Sequence, residues 1–120
     1  MNKKTLVIGA SLKPQRYSNI AIKKLVNHNY EVVAFGLREG SVSGVEIETK
    51  LMPYNDVHTV TLYLNPERQK AVYDYIISLR PERVIFNPGT ENSEFQKVLQ
   101  QNNIFFEEAC TLVLLSTNQY

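Results

Sequence analysis

Short apolar runs alternate along the chain with stretches in which apolar residues recur at helical spacing. The first run, Leu6 to Ile8, is apolar at every position, which is typical of a strand buried on both faces of a parallel sheet. It breaks at Gly9 into small and polar residues. Apolar residues then occur at Ile20, Ala21, Leu25 and Val26, which is the spacing of one face of a helix. The pattern therefore predicts a strand, a loop and a helix.

Four further strands are predicted from apolar or β-branched runs, at residues 30–35, 57–64, 83–86 and 104–106. The glycine-rich segment 36–44 is expected to be a loop. Residues 45–47 could form a short edge strand or an irregular turn, because Pro53 limits regular structure nearby. Residues 109–115 are expected to be a short helix or coil.

Two further helices are predicted between these strands. The first begins at Asn65, which can cap it, and Pro66 suits its first turn. It is expected to continue without interruption until Pro81 stops it. The second is expected to begin at Thr90 as its N-cap and to end at Asn102.

Alternating strands and helices with short connections require right-handed crossovers and a parallel sheet that is covered on both faces. The predicted fold is therefore α/β, a three-layer, doubly wound sheet of about five strands. Ligands of such sheets bind beyond the carboxyl ends of the strands, where the strand order reverses. The loops expected to meet there are 9–18, 35–36 and onward, 64–66, 87–92 and 109–111.

Length and composition narrow the class of protein. The 120 residues suffice for one core, so residues 1–120 are expected to form one domain. The chain has thirteen Lys and Arg residues and twelve acidic residues. Proteins that bind nucleic acid or membrane surfaces usually carry a clear excess of positive charge, so this balance argues against both as partners. No apolar run is long enough to span a membrane or to form a secretory signal. The single cysteine fits a reducing compartment, so a cytoplasmic location is expected.

The loop after the first strand has the residues of a phosphate site. It aims backbone N–H groups and the positive end of a helix dipole beyond the strand. Small residues leave room for a ligand, hydroxyls can donate and cations add charge, at Gly9, Ala10, Ser11, Lys13, Arg16 and Ser18. The motifs G-x-G-x-x-G and G-x-x-x-x-G-K-[ST] are both absent. The loop alone therefore fits a phosphate site and a plain turn equally well.

Few other residues carry candidate chemistry. Arg38 follows the second strand, where an arginine suits an extra ribose phosphate, as on coenzyme A or NADP, although a solvated loop residue is the simpler interpretation. Cys110 could contact a thiol ligand, but a buried and inert cysteine is the simpler interpretation. His28 and His58 lack partners at ligand spacing, so neither a metal site nor a catalytic residue is predicted.

One motif is specific to a known family. The pattern G-A-S-x-x-P-x-R-x-S is present at Gly9, Ala10, Ser11, Pro14, Arg16 and Ser18. Three further features match the same family, namely Asn65-Pro66, a G-x-x-N-x-E segment that begins at Gly89, and Cys110. On these residues and the motif, the chain resembles the small stand-alone coenzyme A-binding proteins. Their Rossmann-like domain also forms the amino-terminal part of succinyl-CoA ligase alpha chains. Two departures are Phe35-Gly36, where the family usually has Asn-Pro, and an apolar segment after Cys110 in place of a charged tail.

The resemblance implies a set of ligand-binding residues. Gly9, Ser11, Arg16 and Ser18 would surround the pyrophosphate. The loops after the second, third and fourth strands would enclose the nucleotide and the start of the pantetheine arm. The candidate cofactor-binding residues are Gly9, Ala10, Ser11, Lys13, Arg16, Tyr17, Ser18, Phe35, Gly36, Arg38, Leu64, Asn65, Pro66, Pro88, Gly89, Thr90 and Cys110.

The expected function is therefore binding of coenzyme A or an acyl-CoA without catalysis. Two alternatives stay open. The first is an NADP-binding oxidoreductase subunit, and the second is a regulatory or interaction module that has kept the fold and lost the ligand. The expected partner is a small-molecule nucleotide, and a homodimer or an enzyme partner is compatible with the sequence.

Overall fold

The computed structural model describes residues 3–120. The strands in this range are β1 (Thr5–Ala10), β2 (Val32–Gly36), β3 (Gly40–Val42), β4 (Val45–Glu48), β5 (Thr59–Leu62), β6 (Arg83–Phe86) and β7 (Phe106–Glu108). The helices are α1 (Tyr17–Asn27), α2 (Pro66–Gln69), α3 (Tyr73–Leu79), α4 (Ser93–Gln101) and α5 (Thr111–Ser116), and a 3₁₀ turn, Lys70–Val72, joins α2 to α3.

The strands form one sheet in the order β3-β4-β2-β1-β5-β6-β7. All neighbouring pairs are parallel except β3 and β4, which are antiparallel. The chain winds from β1 to β2 on one side and later returns to β5 on the other side of β1. The strand order therefore reverses between the carboxyl ends of β1 and β5, where ligands of such sheets bind.

Helices cover both faces of the sheet. Ile22 of α1 and Leu115 of α5 pack in one core cluster with Val7 of β1. Ile76 of α3 and Phe95 of α4 pack in the other cluster, with residues of β1, β5 and β6. Neighbouring residues of β1 thus serve opposite faces, as the pleat of a strand requires. The predicted three-layer, Rossmann-like α/β architecture is confirmed.

The sheet has more strands than predicted. The prediction of a loop at 36–44 is wrong, because this segment contains β3. Residues 45–48 form the strand β4, as one alternative expected, but β4 lies between β2 and β3 and not at the edge of the sheet. Val42, Val45 and Ile47 are buried in the core, which holds this hairpin on the sheet. Ser43 and Gly44 both have positive φ, at 50° and 81°, as a tight hairpin turn of the primed type requires.

The helix predicted from residue 66 is not continuous. Asn65 caps α2 as expected, since its side chain accepts from the N–H of Arg68 at 2.9 Å. After four residues the helix tightens into the 3₁₀ turn before α3 begins. The buried Gln69 precedes the turn and Tyr73 follows it. Arg80, left-handed with φ of 50°, ends α3 just before Pro81.

Two boundaries near the end of the chain also differ from the sequence-based expectation. Thr90 is not the N-cap of α4. Its hydroxyl donates to the carbonyl of Asn87 at 2.8 Å, and Asn92 caps the helix by accepting from the N–H of Phe95 at 3.1 Å. The last strand lies two residues later than predicted, and Ile104 packs in the core ahead of it.

Candidate functional site

At the point where the strand order reverses, two main-chain segments pass unusually close together. Gly9 adopts φ of +92°, and a Cβ at this position would lie 2.8 Å from both the carbonyl carbon and oxygen of Tyr63. On the other side of β1, a Cβ on Gly36 would overlap the carbonyl oxygen of Ala10. Only glycine fits at either position. These glycines allow the loops after β1, β2 and β5 to converge.

The loop between β1 and α1 is held by its own hydrogen bonds. The hydroxyl of Ser11 accepts from the N–H of Lys13 at 3.1 Å, and the N–H of Arg16 donates to the carbonyl of Lys13 at 3.1 Å. Asn19, which is buried, donates from Nδ2 to the carbonyl of Ser11 at 2.9 Å. The loop is therefore fixed to the first turn of α1 before any ligand binds.

The amino-terminal end of α1 opens towards this loop. Arg16 occupies the N-cap position, but its side chain makes no cap hydrogen bond. The first N–H groups of an α-helix have no partner within the helix, and they carry the positive end of its dipole. The N–H groups of Tyr17 and Ser18, on the residues that open the helix, are therefore suited to an anion.

A cavity of about 910 Å³ extends from this loop across the carboxyl ends of β2, β1, β5 and β6. Its volume lies in the upper part of the range for small-molecule sites. Most of the predicted residues line it, namely Gly9, Ala10, Ser11, Lys13, Arg16, Tyr17, Ser18, Phe35, Gly36, Arg38, Leu64, Asn65, Pro88, Gly89 and Thr90. The structure thus brings together residues from four separate loops.

Two predicted residues do not line the cavity. Pro66 opens α2 at the first helical position. Cys110 holds the N-cap position of α5, where it is half-buried and has a free thiol. The other part of the 109–111 loop is bound to the sheet, because the N–H of Thr111 donates to Oδ1 of Asn87 at 2.9 Å.

Several lining residues were not among the predicted ligand-binding residues. Two of them, Leu12 and Leu37, lie in loops that were expected at the site, and the others are Leu51, Tyr63, Glu67, Arg68, Ala71 and Val72. The sequence does contain a signal that marks Arg68 as a binding residue. A cation near the start of a helix opposes the helix dipole, unless it serves an anion at the same end. Val72 is buried in the core as well as lining the cavity, so the apolar spacing of the helix does not distinguish a cavity wall from a core.

Positive charge is concentrated in the cavity. Lys13, Arg16, Arg38 and Arg68 line it, whereas Glu67 is its one lining carboxylate. The net charge of the whole chain is only +1. Within residues 3–120 none of these four cations takes part in an ion pair, and Glu67 is itself paired with Lys70 at 3.5 Å. The cavity is therefore suited to a ligand with several negative charges.

The rim of the cavity is apolar. Most of the large hydrophobic side chains that are exposed in residues 3–120 lie on it, namely Leu12, Tyr17, Leu37 and Leu51. Leu37 is 78% exposed. An exposed apolar cluster beside a cavity is characteristic of a binding surface. A fitting ligand would combine anionic groups with apolar ones.

The cavity also crosses several strands of the sheet. It reaches from Arg38, after β2, to Thr90, after β6. Three strand spacings separate β2 from β6 in the sheet order, each about 4.8 Å wide, so the span is about 14 Å. A single phosphate would fill only a small part of this length.

Burial raises the pKa of Tyr63, so this lining residue stays a neutral phenol at physiological pH. No three His, Cys, Asp or Glu side chains gather as metal ligands in residues 3–120. In the same range, no helix has the length and apolar character that crossing a bilayer demands.

Comparison with known proteins gives a family match. The model of the CoA binding domain family matches residues 3–116. No curated protein matches the chain.

Solved structures include several similar chains. A crystal structure of an uncharacterized protein is 43% identical, with a TM-score of 0.97, and the match covers 100% of this chain and 99% of the other. A hypothetical protein from Pyrococcus horikoshii OT3 is 25% identical, with a TM-score of 0.87, covering 96% and 82%. A Thermus thermophilus structure at 20% identity, covering 98% and 90% with a TM-score of 0.86, shares the fold. From the family match over residues 3–116, the chain belongs to the CoA binding domain family.

Proposed function

We propose that the protein binds coenzyme A or an acyl-CoA in the cavity at the carboxyl edge of the sheet, and that it catalyses no reaction by itself. One observation carries the proposal: four cations that have no ion pair within residues 3–120, and the open amino-terminal end of α1, line one cavity that crosses several strands. Coenzyme A carries a diphosphate, a ribose phosphate, an adenine ring and a long arm. Its charge and its length both suit such a site.

The diphosphate is assigned to the loop between β1 and α1. The N–H groups at the start of α1 can donate to its oxygens, and Arg16 can form two parallel hydrogen bonds through its planar guanidinium. Lys13 adds a second positive charge on the same loop. Because Asn19 already fixes the Ser11 carbonyl, little order has to be gained when the ligand binds.

The extra ribose phosphate is assigned to Arg38. It follows β2, which is where a nucleotide-binding sheet of this kind recognises the ribose, and it is exposed without an ion pair in residues 3–120. This assignment also fits NADP. Membership of the CoA binding domain family favours coenzyme A of the two.

The absence of catalysis is inferred from the side chains that line the cavity. They include no histidine or cysteine, and the one carboxylate, Glu67, is paired with Lys70. Covalent or acid-base catalysis requires a nucleophile or a base with a partner that activates it. The lining residues therefore suit a binding protein better than an enzyme.

Thermal-shift and calorimetric titrations with coenzyme A, NADP and NAD in separate arms test the proposal. A ligand that binds only the folded state raises its stability, by about 2.7 kcal/mol at a hundred times Kd. We expect a shift with coenzyme A and little with NAD. A larger shift with NADP would support the oxidoreductase subunit, and no shift with any ligand at millimolar concentration would support the interaction module.

A further inference from the structure

The side chain of Gln69 connects two of the loops that form the cavity wall. Gln69 ends α2 and is fully buried, and it does not itself line the cavity. Its Nε2 donates to the carbonyl of Leu64 at 2.9 Å and to the carbonyl of Thr90 at 2.8 Å. Leu64 follows β5 and Thr90 follows β6, and both line the cavity. The side-chain amide of Gln69 therefore links the loop after β5 to the loop after β6, and these two loops form one wall of the cavity.

We propose that Gln69 is a positioning residue that fixes this wall in the geometry needed to bind the arm of coenzyme A. The proposal rests on the function proposed above. It concerns the wall of the cavity that the loops after β5 and β6 form. Gln69 acts through the Leu64 and Thr90 carbonyls and does not touch the ligand.

The orientation of the Gln69 amide is imposed by its neighbours. Asn92 caps α4, so its Oδ1 must face the N–H of Phe95, at 3.1 Å. Its Nδ2 is thereby directed to Oε1 of Gln69 at 2.9 Å and to the hydroxyl of Tyr73 at 2.8 Å. Since Oε1 of Gln69 accepts from Asn92, its two N–H groups point to the two loop carbonyls. The hydrogen bond that caps α4 therefore determines the orientation of the Gln69 amide, and so which of its atoms donates to the two loop carbonyls.

Two of these hydrogen bonds lie in the protein interior, and the third, from Gln69 to the carbonyl of Leu64, is partly buried. The contacts of Gln69 to Thr90 and to Asn92 are both buried, and hydrogen bonds in such surroundings strengthen one another. Thr90 is also tied to β6, because its N–H and its hydroxyl both donate to the carbonyl of Asn87, at 2.9 Å and 2.8 Å. Loss of Gln69 would therefore free the loop after β5 to move relative to a loop that stays attached.

Two substitutions test the proposal. Gln69→Met keeps a side chain of similar length that cannot donate. Asn92→Asp keeps the oxygen that caps α4 but cannot donate to Gln69, so the Gln69 amide loses the contact that orients it. The control is Tyr120→Phe, which removes a buried hydrogen bond of 2.6 Å to Thr5 at the opposite end of β1.

Ligand affinity is measured for coenzyme A and for ADP, which carries the diphosphate without the arm. With Gln69→Met and with Asn92→Asp, we expect Kd for coenzyme A to rise about tenfold, which corresponds to the loss of one buried hydrogen bond, and Kd for ADP to stay within about twofold. With Tyr120→Phe, both values should stay within about twofold although the melting temperature falls. A parallel rise for both ligands, or no rise for either, would overturn the proposal.

Hydrogen exchange of the ligand-free protein gives a second readout. Amides of residues 63–65 should exchange faster in the Gln69→Met and Asn92→Asp variants and should be unchanged in the Tyr120→Phe variant. Unchanged exchange in the Gln69→Met and Asn92→Asp variants would refute the proposal that Gln69 holds the two loops together. If the wild-type protein fails to bind coenzyme A, the proposed function falls, while the exchange experiment still decides whether Gln69 holds the two loops.

Discussion

The backbone of Gly9 lies against the carbonyl group of Tyr63, with room for no side chain between them. A Cβ on Gly9 would be 2.8 Å from the carbonyl carbon and from the carbonyl oxygen. This contact sets the distance between the ends of β1 and β5, and so the floor of the cavity.

Gly9→Ala should destabilise the protein by more than the cost of its φ of +92° alone, which is about 1–3 kcal/mol. Gly44→Ala is the matched control, because Gly44 also has a positive φ, of +81°, and open space around it. Urea unfolding would measure the free energies of unfolding. Equal losses of unfolding free energy in the two variants would show that the close contact with Tyr63 adds nothing to the destabilisation.

Arg16→Gln should weaken binding of coenzyme A by about tenfold to a hundredfold, since hydrogen bonds to charged groups contribute about 1.5–3 kcal/mol. The control is Lys23→Gln, which removes one exposed positive charge from the same helix outside the cavity. Isothermal titration calorimetry at one fixed salt concentration would compare them. The assignment of Arg16 to the diphosphate fails if the two variants bind equally well.

Arg38→Gln should reduce affinity for coenzyme A and leave affinity for dephospho-coenzyme A nearly unchanged. The reason is that dephospho-coenzyme A lacks the ribose phosphate assigned to Arg38. The same calorimetric titrations with both ligands would reveal the difference. An equal loss for both would mean that Arg38 contributes only to the general positive field of the cavity.

His58 should make the protein less stable in mild acid. Burial first, and then the charges of Arg83 and Lys3, lower the pKa of His58 from 6.5, although Glu82 acts in the opposite direction. The unfolded chain therefore binds a proton more readily, and stability is lost as pH falls below about 6.5. Melting temperatures measured from pH 7.5 to 5.5 should fall less steeply in His58→Gln than in the wild-type protein, and identical slopes would contradict this.

The sequence predicted the elements whose signals are local. The run Leu6 to Ile8, the break at Gly9 and the helical spacing of residues 20–26 sufficed for the first strand, the loop and the helix, because strand burial and helix spacing appear within a few positions. Asn65 with Pro66 likewise located the start of α2. Local signals of this kind need no knowledge of which segments meet in space.

The missed features depend on contacts between distant segments or on weak turn signals. The β3–β4 hairpin turns on Ser43 and Gly44, a pair that the glycine-rich surroundings obscured. Gln69 and Asn92 are separated by 23 positions, so no periodic pattern relates them. The exposed Leu37 and Leu51 came to the cavity rim only through the folding of their loops. Tertiary contacts of this type cannot be found from spacing alone.

The hairpin of β3 and β4 has a consequence for self-association. It places β3, a strand of three residues, at one border of the sheet, and β7, also of three residues, forms the other border. Borders this short, with Glu107 and Glu108 on the second of them, give a neighbouring molecule few main-chain groups to pair with. The protein can therefore keep an open ligand cavity with an apolar rim at high concentration without inviting the strand-to-strand growth that leads to fibrils.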